Sequence, residues 1–210
     1  MLLTVLAGIP LTISVTAVAL VIGTIGSLPL LFGILSGNRL VWLIARGIID
    51  LCRGIPIVVW MFILFYGVTI GGTKLSAFGA AVLGLGIVSA AYLAEIFRGA
   101  ISSVAAGQYE AARALGMTPR AVWGDIVGPQ AWRVAIPGYT TYGIGLLKDS
   151  SIASTIGVAE MVFRSNSYAR TTGEGITVFL VAAAIYVIVS VPVGVLSRKA
   201  DEKLSAVVAR

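Results

Sequence analysis

Histidine is absent from the 210 residues, cysteine occurs once, and only 11% of the residues are charged. Histidine is the usual general base and zinc ligand, so its absence removes much of the chemistry available for metal or acid–base catalysis. The single cysteine, Cys52, cannot form an intramolecular disulfide, and we interpret it as a small buried apolar residue. The sequence also has no G-x-x-x-x-G-K-[ST] nucleotide loop and no G-x-S-x-G elbow. These absences argue against an enzyme and predict no metal site.

Apolar residues dominate what is present. They make up 58% of the chain, while the charged fraction is less than half of the roughly 25% that is usual in soluble domains. A soluble protein of this size would expose too much apolar surface to water. The composition therefore predicts an all-α integral membrane protein, and the length predicts a single transmembrane domain over residues 1–210.

Five apolar windows without charged side chains predict five transmembrane helices, because about 20 apolar residues cross the hydrocarbon core. The windows cover residues 1–38, 54–73, 75–94, 134–147 and 175–197. The first lacks a basic segment at its start and exceeds the usual length of a signal-peptide core, so we interpret it as a transmembrane helix. The fourth is short, and we expect it to break near Lys148 and Asp149.

The distribution of basic residues predicts the orientation, because Lys and Arg favour cytoplasmic loops. With the N-terminus outside and the C-terminus inside, eleven of the 15 Lys and Arg residues lie at the inner face. These are Arg39, Arg46, Arg53, Arg98, Arg113, Arg120, Arg133, Arg198, Lys199, Lys203 and Arg210. The opposite orientation inverts the ratio.

A polar, helix-prone segment at about 105–133 interrupts the apolar runs and faces the cytoplasm in this orientation; we call it the docking segment. Its small residues predict a helical face without bulky side chains, which we call the bare face. A partner can approach the backbone closely there. Gly116 can adopt positive φ and end one helix, while Thr118 and Pro119 are typical of the N-cap and first residue of the next. The sequence therefore predicts a helix, a tight turn and a second helix suited to docking.

Four short motifs in order carry a resemblance to a known family. They are Glu110-Ala111-Ala112 with Gly116, Ile126 and Pro129; Arg53-Gly54-Ile55-Pro56; the stretch 90–101, AAYLAEIFRGAI; and Lys148-Asp149-Ser150-Ser151-Ile152-Ala153 with Ile156-Gly157. Together they resemble permease subunits of ATP-binding-cassette (ABC) importers for polar amino acids, the histidine, glutamine and arginine type with an EAA loop. The sequence departs from the family pattern at Cys52, where an aromatic residue is usual, and at Gly128, where leucine is expected. We expect Gly128 to loosen the exit of the docking segment.

The resemblance implies a fold, a set of partners and a mechanism. It implies the type I, MetI-like permease fold with five transmembrane helices, the N-terminus outside and a cytoplasmic coupling helix. It implies pairing with a second permease copy or homologue, a cytoplasmic ABC ATPase and an extracytoplasmic amino-acid-binding protein. ATP and Mg would be bound by the ATPase, so no cofactor is expected in this chain. Nucleotide binding would then switch a bistable bundle between inward- and outward-facing states.

By matching position, docking on the ATPase is assigned to Glu110, Ala111, Ala112 and Gly116. The alternative is an ordinary amphipathic helix on the membrane surface, although such helices are usually richer in Lys, Trp and Phe.

Arg53, Gly54 and Pro56 are interpreted as structural. We expect Pro56 to kink the second span and Arg53 either to neutralise Asp50 or to reach the inner interface. Arg46 is spaced to pair with Asp50 as well.

One candidate substrate surface lies on the third span. Ionisable groups in a span cost roughly 2.5–3.5 kcal/mol on insertion scales. A carboxylate at Glu95 therefore indicates either a function or a compensating partner. It could bind a substrate amino group, with Ser89 and Tyr92 forming a polar stripe on the same face. It could equally pair with Arg98, three residues on.

A second candidate surface surrounds the expected break in the fourth span. Lys148, Asp149 and Ser150 could receive a substrate carboxylate or ammonium there, or could form a structural hinge. Glu160 could also attract a cation, but we favour an ordinary external surface residue.

The function predicted from these features is import of a polar or charged amino acid across the cytoplasmic (inner) membrane of a prokaryote. The intramembrane acids mildly favour a cationic substrate. The alternative is a secondary amino-acid transporter driven by an ion gradient, although the sequence shows no convincing repeated halves. A structural scaffold would not explain the docking segment.

Overall fold

Helices form almost the whole chain in the computed structural model, which describes residues 1–70 and 72–208. The N-terminal half contains α1 (Leu2–Leu6), α2 (Ile9–Ile34), α3 (Arg39–Gly54), α4 (Ile57–Gly67), a hairpin of β1 (Thr69–Ile70) and β2 (Thr73–Lys74), and α5 (Ala77–Ser102). The C-terminal half contains α6 (Ala106–Ala114), α7 (Pro119–Ala121), a π-helical turn (Val122–Val127), α8 (Gly128–Asp149), a 3-10 helix (Ser150–Ile156), α9 (Met161–Thr172) and α10 (Gly175–Val208). In the hairpin, Thr69 pairs with Lys74 and Ile70 with Thr73, antiparallel.

Three segments of the described chain are long and apolar enough to cross a membrane: Leu2–Ile34, Ala77–Ser102 and Gly175–Pro192. They correspond to the first, third and fifth predicted spans. The pair α3 and α4 meets the same criterion together, with a bend of 96° between its two halves. The five-span count and the outside N-terminus therefore remain predictions.

The second predicted span, 54–73, is wrong in its boundaries. Gly54 is the last residue of α3, α4 covers only the 11 residues Ile57–Gly67, and Thr69, Ile70 and Thr73 belong to the hairpin. Pro56 does not kink a continuous span; it lies before the first residue of α4. Ile55 is extended (φ −93°, ψ 129°), as expected for a residue that precedes proline, and α3 ends there.

The helix that contains the fourth predicted window ends near Lys148 and Asp149, as the sequence predicted. Helix α8 ends at Asp149 and continues as the 3-10 helix to Ile156. Gly157 then takes φ +92°, a left-handed conformation that glycine adopts without the steric cost of a Cβ atom.

The core lies around α5, most of which is buried between α2, α4 and α8. Close contact between α2 and α5 depends on glycine. A Cβ atom at Gly86 would lie 2.5 Å from Cγ2 of Ile22, and one at Gly23 would collide with Cβ of Ser89. Small residues at such crossings let helix backbones approach closely, as is usual in membrane bundles.

Gly23→Ala is therefore expected to destabilise the chain by about 1–3 kcal/mol, the usual cost of overpacking a well-packed core. Thermal unfolding in detergent measures the change. Gly47→Ala is the matched control, because a Cβ there meets nothing within 4 Å. That control should be neutral or slightly stabilising, since alanine favours helix over glycine. Equal behaviour of the two variants would contradict the close α2–α5 contact.

The C-terminal tail contributes to the orientation prediction but not to the described side chains. Arg210 lies outside the described residues. Arg198, Lys199 and Lys203 fall within α10, whose backbone alone is described there.

Candidate functional site: the docking segment and the polar groups of the bundle

The docking segment has the predicted helix–turn–helix form. Gly116 takes φ +71°, and its N–H donates to the carbonyl of Arg113 at 2.9 Å. The N–H of Met117 donates to the carbonyl of Ala112 at 3.1 Å, which completes a Schellman motif at the end of α6. Oγ1 of Thr118 accepts from the N–H of Ala121 at 3.3 Å, so Thr118 is the predicted N-cap.

The predicted bare face of α6 needs one correction. Glu110, Ala111 and Gly116 are exposed, but Ala112 is only 3% exposed. Ala112 packs in a small apolar cluster with Val104, Val122, Val127 and Ala131. Its small side chain holds α6 against the π-helical turn, so it can influence a partner only by positioning α6. The spacing of the motif does not indicate which of its residues lie on the exposed face of α6 and which on the packed face.

Leu115 is a residue of the docking segment that the sequence interpretation missed. It is 80% exposed at the tip of the turn, directly before Gly116. A large apolar side chain held in water by a rigid turn is unfavourable for the free chain. A large apolar residue directly before a helix-ending glycine was the available sequence signal.

Gly128 is accommodated by the π-helical turn. Its N–H donates to the carbonyl of Trp123, and a Cβ atom there would lie 2.7 Å from that carbonyl oxygen. The leucine that the family pattern expects would collide with the backbone in this geometry. The departure at Gly128 therefore fits a tight local turn, which differs from the loosening that the sequence predicted.

Glu95 lies in an ion-pair network between α3 and α5. Its Oε2 accepts from Nε of Arg98 at 3.0 Å and from Nη2 at 2.8 Å, and its Oε1 accepts from Nη1 of Arg46 at 2.7 Å. Arg46 also donates from Nε to Oδ2 of Asp50 at 3.0 Å. Both predicted local pairs, Glu95 with Arg98 and Arg46 with Asp50, are present. Two arginines neutralise Glu95, which leaves its carboxylate oxygens occupied within the chain.

Arg53 does not neutralise Asp50, contrary to one predicted alternative. Its guanidinium lies 4.9 Å from the ring centroid of Tyr92, in a cation–π contact, while Asp50 pairs with Arg46. The contact joins the C-terminal end of α3 to α5. Gly54 is the last residue of α3, in the turn toward Pro56.

The predicted polar stripe on α5 is joined by a residue from α8. Ser89 is fully buried, and its Oγ accepts from the hydroxyl of Tyr142 at 2.9 Å. The Tyr142 ring stacks on Tyr92 with centroids 5.6 Å apart. Tyr92 is 37% exposed, so among Ser89, Tyr92 and Tyr142 it presents the most surface. Ser89 instead holds two helices together.

The three candidate substrate residues at the end of α8 differ in how deeply they are buried. Lys148 is exposed, Asp149 is half-buried and Ser150 is fully buried. The hydroxyl of Ser150 donates to the carbonyl of Leu147 at 2.7 Å, so it supports the helix break. No hydrogen bond or ion pair among the described side chains connects these three residues to Glu95.

Glu160 is a buried helix cap, so its interpretation as an external surface residue is wrong. Its carboxylate accepts from the N–H groups of Val162 at 2.9 Å and Phe163 at 2.7 Å, at the start of α9. The hydroxyl of Tyr186 donates to Oε2 at 3.2 Å. Burial raises the pKa of Glu160, and these three hydrogen bonds act in the opposite direction. The carboxylate is occupied by structural partners.

Glu160→Ala is expected to lower the unfolding free energy by about 2 kcal/mol, because it removes a helix cap and leaves the hydroxyl of Tyr186 without its partner. Substrate affinity should not change. Thermal unfolding and substrate binding on the same preparation test both parts. Glu174→Ala serves as the control, since Glu174 is exposed. A specific loss of affinity with unchanged stability would instead support a substrate contact.

Comparisons with known proteins agree with the motif resemblance. Residues 28–205 match the family described as "Binding-protein-dependent transport system inner membrane component". The chain is 36% identical over 195 residues to the nopaline transport system permease protein NocM of Agrobacterium fabrum, covering 88% of this chain and 81% of NocM. It is 33% identical over 187 residues to the arginine ABC transporter permease protein ArtQ of Haemophilus influenzae, covering 86% and 84%.

Solved structures share the fold. A crystal structure of "an amino acid ABC transporter with histidines" aligns with a TM-score of 0.89 at 30% identity, covering 95% of this chain and 94% of that chain. An inward-facing MetNI methionine ABC transporter aligns with a TM-score of 0.79 at 20% identity over 97% of each chain, which supports the fold alone. The predicted MetI-like fold class is confirmed. The chain therefore belongs to the family of binding-protein-dependent transport system inner membrane components, and is a multi-pass permease subunit of an ABC transporter, a family whose ATPase is a separate subunit.

Proposed function

We propose that this permease imports a polar or charged amino acid across the cytoplasmic (inner) membrane of a prokaryote. The main support for this proposal is the docking segment, because an exposed, rigidly capped turn on a membrane bundle needs a partner surface. The names of the relatives support the substrate class: they refer to nopaline, arginine and amino acids in general. An ion-gradient-driven transporter gains no support from these matches.

The docking surface consists of Glu110, Ala111, Leu115 and Gly116, with Ala112 positioning α6 from below. Leu115 supplies an apolar contact for the ATPase, and Glu110 supplies an exposed charge on α6. ATP and Mg are bound by that ATPase, and this chain carries no cofactor of its own. A second permease copy or homologue and an extracytoplasmic amino-acid-binding protein complete the assembly.

Glu95 gives no indication of the charge of the substrate. Its carboxylate is shared between Arg46 and Arg98, so it offers no free negative charge to a cationic side chain. The mild preference for a cationic amino acid that the sequence suggested loses its main support. Tyr92 remains a candidate apolar contact, because its ring is partly exposed, while its cation–π contact is already made by Arg53.

Isolation of the tagged chain from native membranes in mild detergent tests the assembly. We expect an ABC ATPase to be retained. Reconstitution of that complex in vesicles with the binding protein should give amino-acid uptake that requires ATP and persists when ionophores collapse the ion gradients. Uptake that does not require ATP and is abolished by ionophores would contradict the proposal and favour the secondary transporter.

A further inference from the structure

A cavity of about 420 Å³ lies between the end of α2, helix α3 and the end of α5. It is lined by Ile34, Leu35, Trp42, Arg46, Arg98 and Ser102. The two arginine side chains are 38% and 41% exposed, so the space is open to small ligands. It combines two guanidinium groups, whose charges are balanced by Glu95 and Asp50, and hydroxyl and indole donors with an apolar wall.

The two guanidiniums are held in place by a group outside the lining. The two carboxylate oxygens of Glu95 hold one arginine each, across α3 and α5. Nη2 of Arg46 and Nη1 of Arg98 donate to no acceptor among the described side chains and backbone. The hydroxyl of Ser102 and Nε1 of Trp42 likewise have no such partner there. Fixed guanidinium N–H groups are well suited to phosphate oxygens, because little side-chain entropy is lost on binding.

Helix α3 has the character of a helix lying in the membrane interface. Its direction changes by 96° into α4, and large apolar side chains are exposed along it. These are Leu40, Val41, Leu43, Ile44, Ile48 and Leu51. Apolar exposure combined with Trp42 and basic side chains is typical of interfacial helices. In the predicted orientation this region is at the inner leaflet, where anionic lipids are concentrated.

We propose that this cavity binds the phosphate group of an anionic phospholipid of the inner leaflet. The phosphate contacts the spare N–H groups of Arg46 and Arg98, and the hydroxyl of Ser102 donates a further hydrogen bond. The acyl chains then lie along Leu35 and the exposed apolar side of α3. Free phosphate would use only the polar half of the cavity, whereas a phospholipid uses both.

Lipid retention by the purified permease complex tests the site. The complex is placed in nanodiscs of phosphatidylcholine and phosphatidylglycerol in equal amounts, extracted in mild detergent and examined by native mass spectrometry. We expect phosphatidylglycerol to be retained about tenfold over phosphatidylcholine. Both lipids present the phosphate, but the choline ammonium of phosphatidylcholine would place a further positive charge beside Arg46 and Arg98, and like charges repel. Ser102→Phe, which fills the cavity without altering the ion pairs, should abolish that preference. Ser103→Phe is the matched control and should retain it, because Ser103 is exposed beside the cavity and does not line it.

Four outcomes would overturn the proposal. The first three are equal retention of the two lipids by the unaltered chain, unchanged retention in Ser102→Phe, and complete displacement of phosphatidylglycerol by inorganic phosphate, which would indicate a site for a free anion. Cross-linking of Ser102→Cys to a second permease copy would show that protein covers the cavity, and would also exclude lipid. ATP-driven uptake measured on the same samples separates this test from that of the proposed function.

Discussion

Gly116→Arg is expected to abolish ATP-coupled transport while leaving the chain inserted in the membrane. Gly116 has φ +71°, where any residue with a Cβ atom is strained by about 1–2 kcal/mol. The new side chain also projects beside Leu115, on the surface proposed to meet the ATPase. Strain alone would weaken docking about tenfold, and the added bulk acts in the same direction. Co-purification of the ATPase and ATP-dependent uptake measure the loss.

Two controls separate the shape of the turn from the presence of arginine. Gly116→Asn keeps a residue that tolerates the left-handed conformation, so it should retain most of the coupling. Gly107→Arg places the same side chain on α6 at a position where a Cβ meets nothing within 4 Å and where φ is not positive. It should retain the ATPase. Normal coupled transport by Gly116→Arg would remove the docking assignment.

The docking turn could be predicted because its determinants are local. A left-handed glycine, a threonine cap and a proline at the first helical position act within five residues of each other, and the structure has all three. The burial of Ala112 could not be predicted in the same way. It depends on Val122 and Val127, which approach it only because the chain reverses after Gly116.

The error in the second span has a physical cause. A search for charge-free windows excludes α3, since it contains Arg46, Asp50 and Arg53. In the structure these charges are compensated, by ion pairs for Arg46 and Asp50 and by the ring of Tyr92 for Arg53. Charged residues that find partners cost less in or near a membrane than isolated ones. The bent pair of α3 and α4 therefore begins well before the predicted window, and the break between the two helices lies at Ile55 and Pro56.

The candidate substrate residues show the same division between local and distant contacts. Glu95 and Arg98 are three residues apart, and their pairing could be predicted. Arg46 and Glu95 are separated by 49 positions, and Ser89 and Tyr142 by 53, so only the folded bundle brings them together. The polarity of Glu160 predicts exposure, but the residue is buried and accepts a hydrogen bond from Tyr186, 26 residues later.

Glu95→Gln is expected to have the second large effect, and the effect should be on stability. The substitution leaves Arg46 and Arg98 side by side without the charge that holds both. Loss of one partner costs 3–5 kcal/mol in a buried pair and below about 1 kcal/mol in an exposed one. Glu95 is 16% exposed and its partners are about 40% exposed, so a loss of about 2–3 kcal/mol is expected. Thermal unfolding of the purified chain measures it.

Two further variants of the ion-pair network between α3 and α5 serve as controls for this prediction. Asp50→Asn breaks the pair with Arg46 at a carboxylate that is 54% exposed, and should cost less than about 1 kcal/mol. The double variant Glu95→Gln with Arg98→Gln removes one charge of each sign and should recover part of the stability that Glu95→Gln loses.

Substrate binding by Glu95→Gln distinguishes a structural carboxylate from a ligand. If Glu95 serves the α3–α5 network, affinities for arginine and for glutamine should change by the same factor, because any loss comes from the fold. A carboxylate that bound a cationic side chain would instead lower the affinity for arginine alone. That selective loss would require Glu95 to exchange Arg46 or Arg98 for the substrate during transport. The network would then be a gate that the substrate opens, and the same double variant would fail to restore arginine binding while it restored stability.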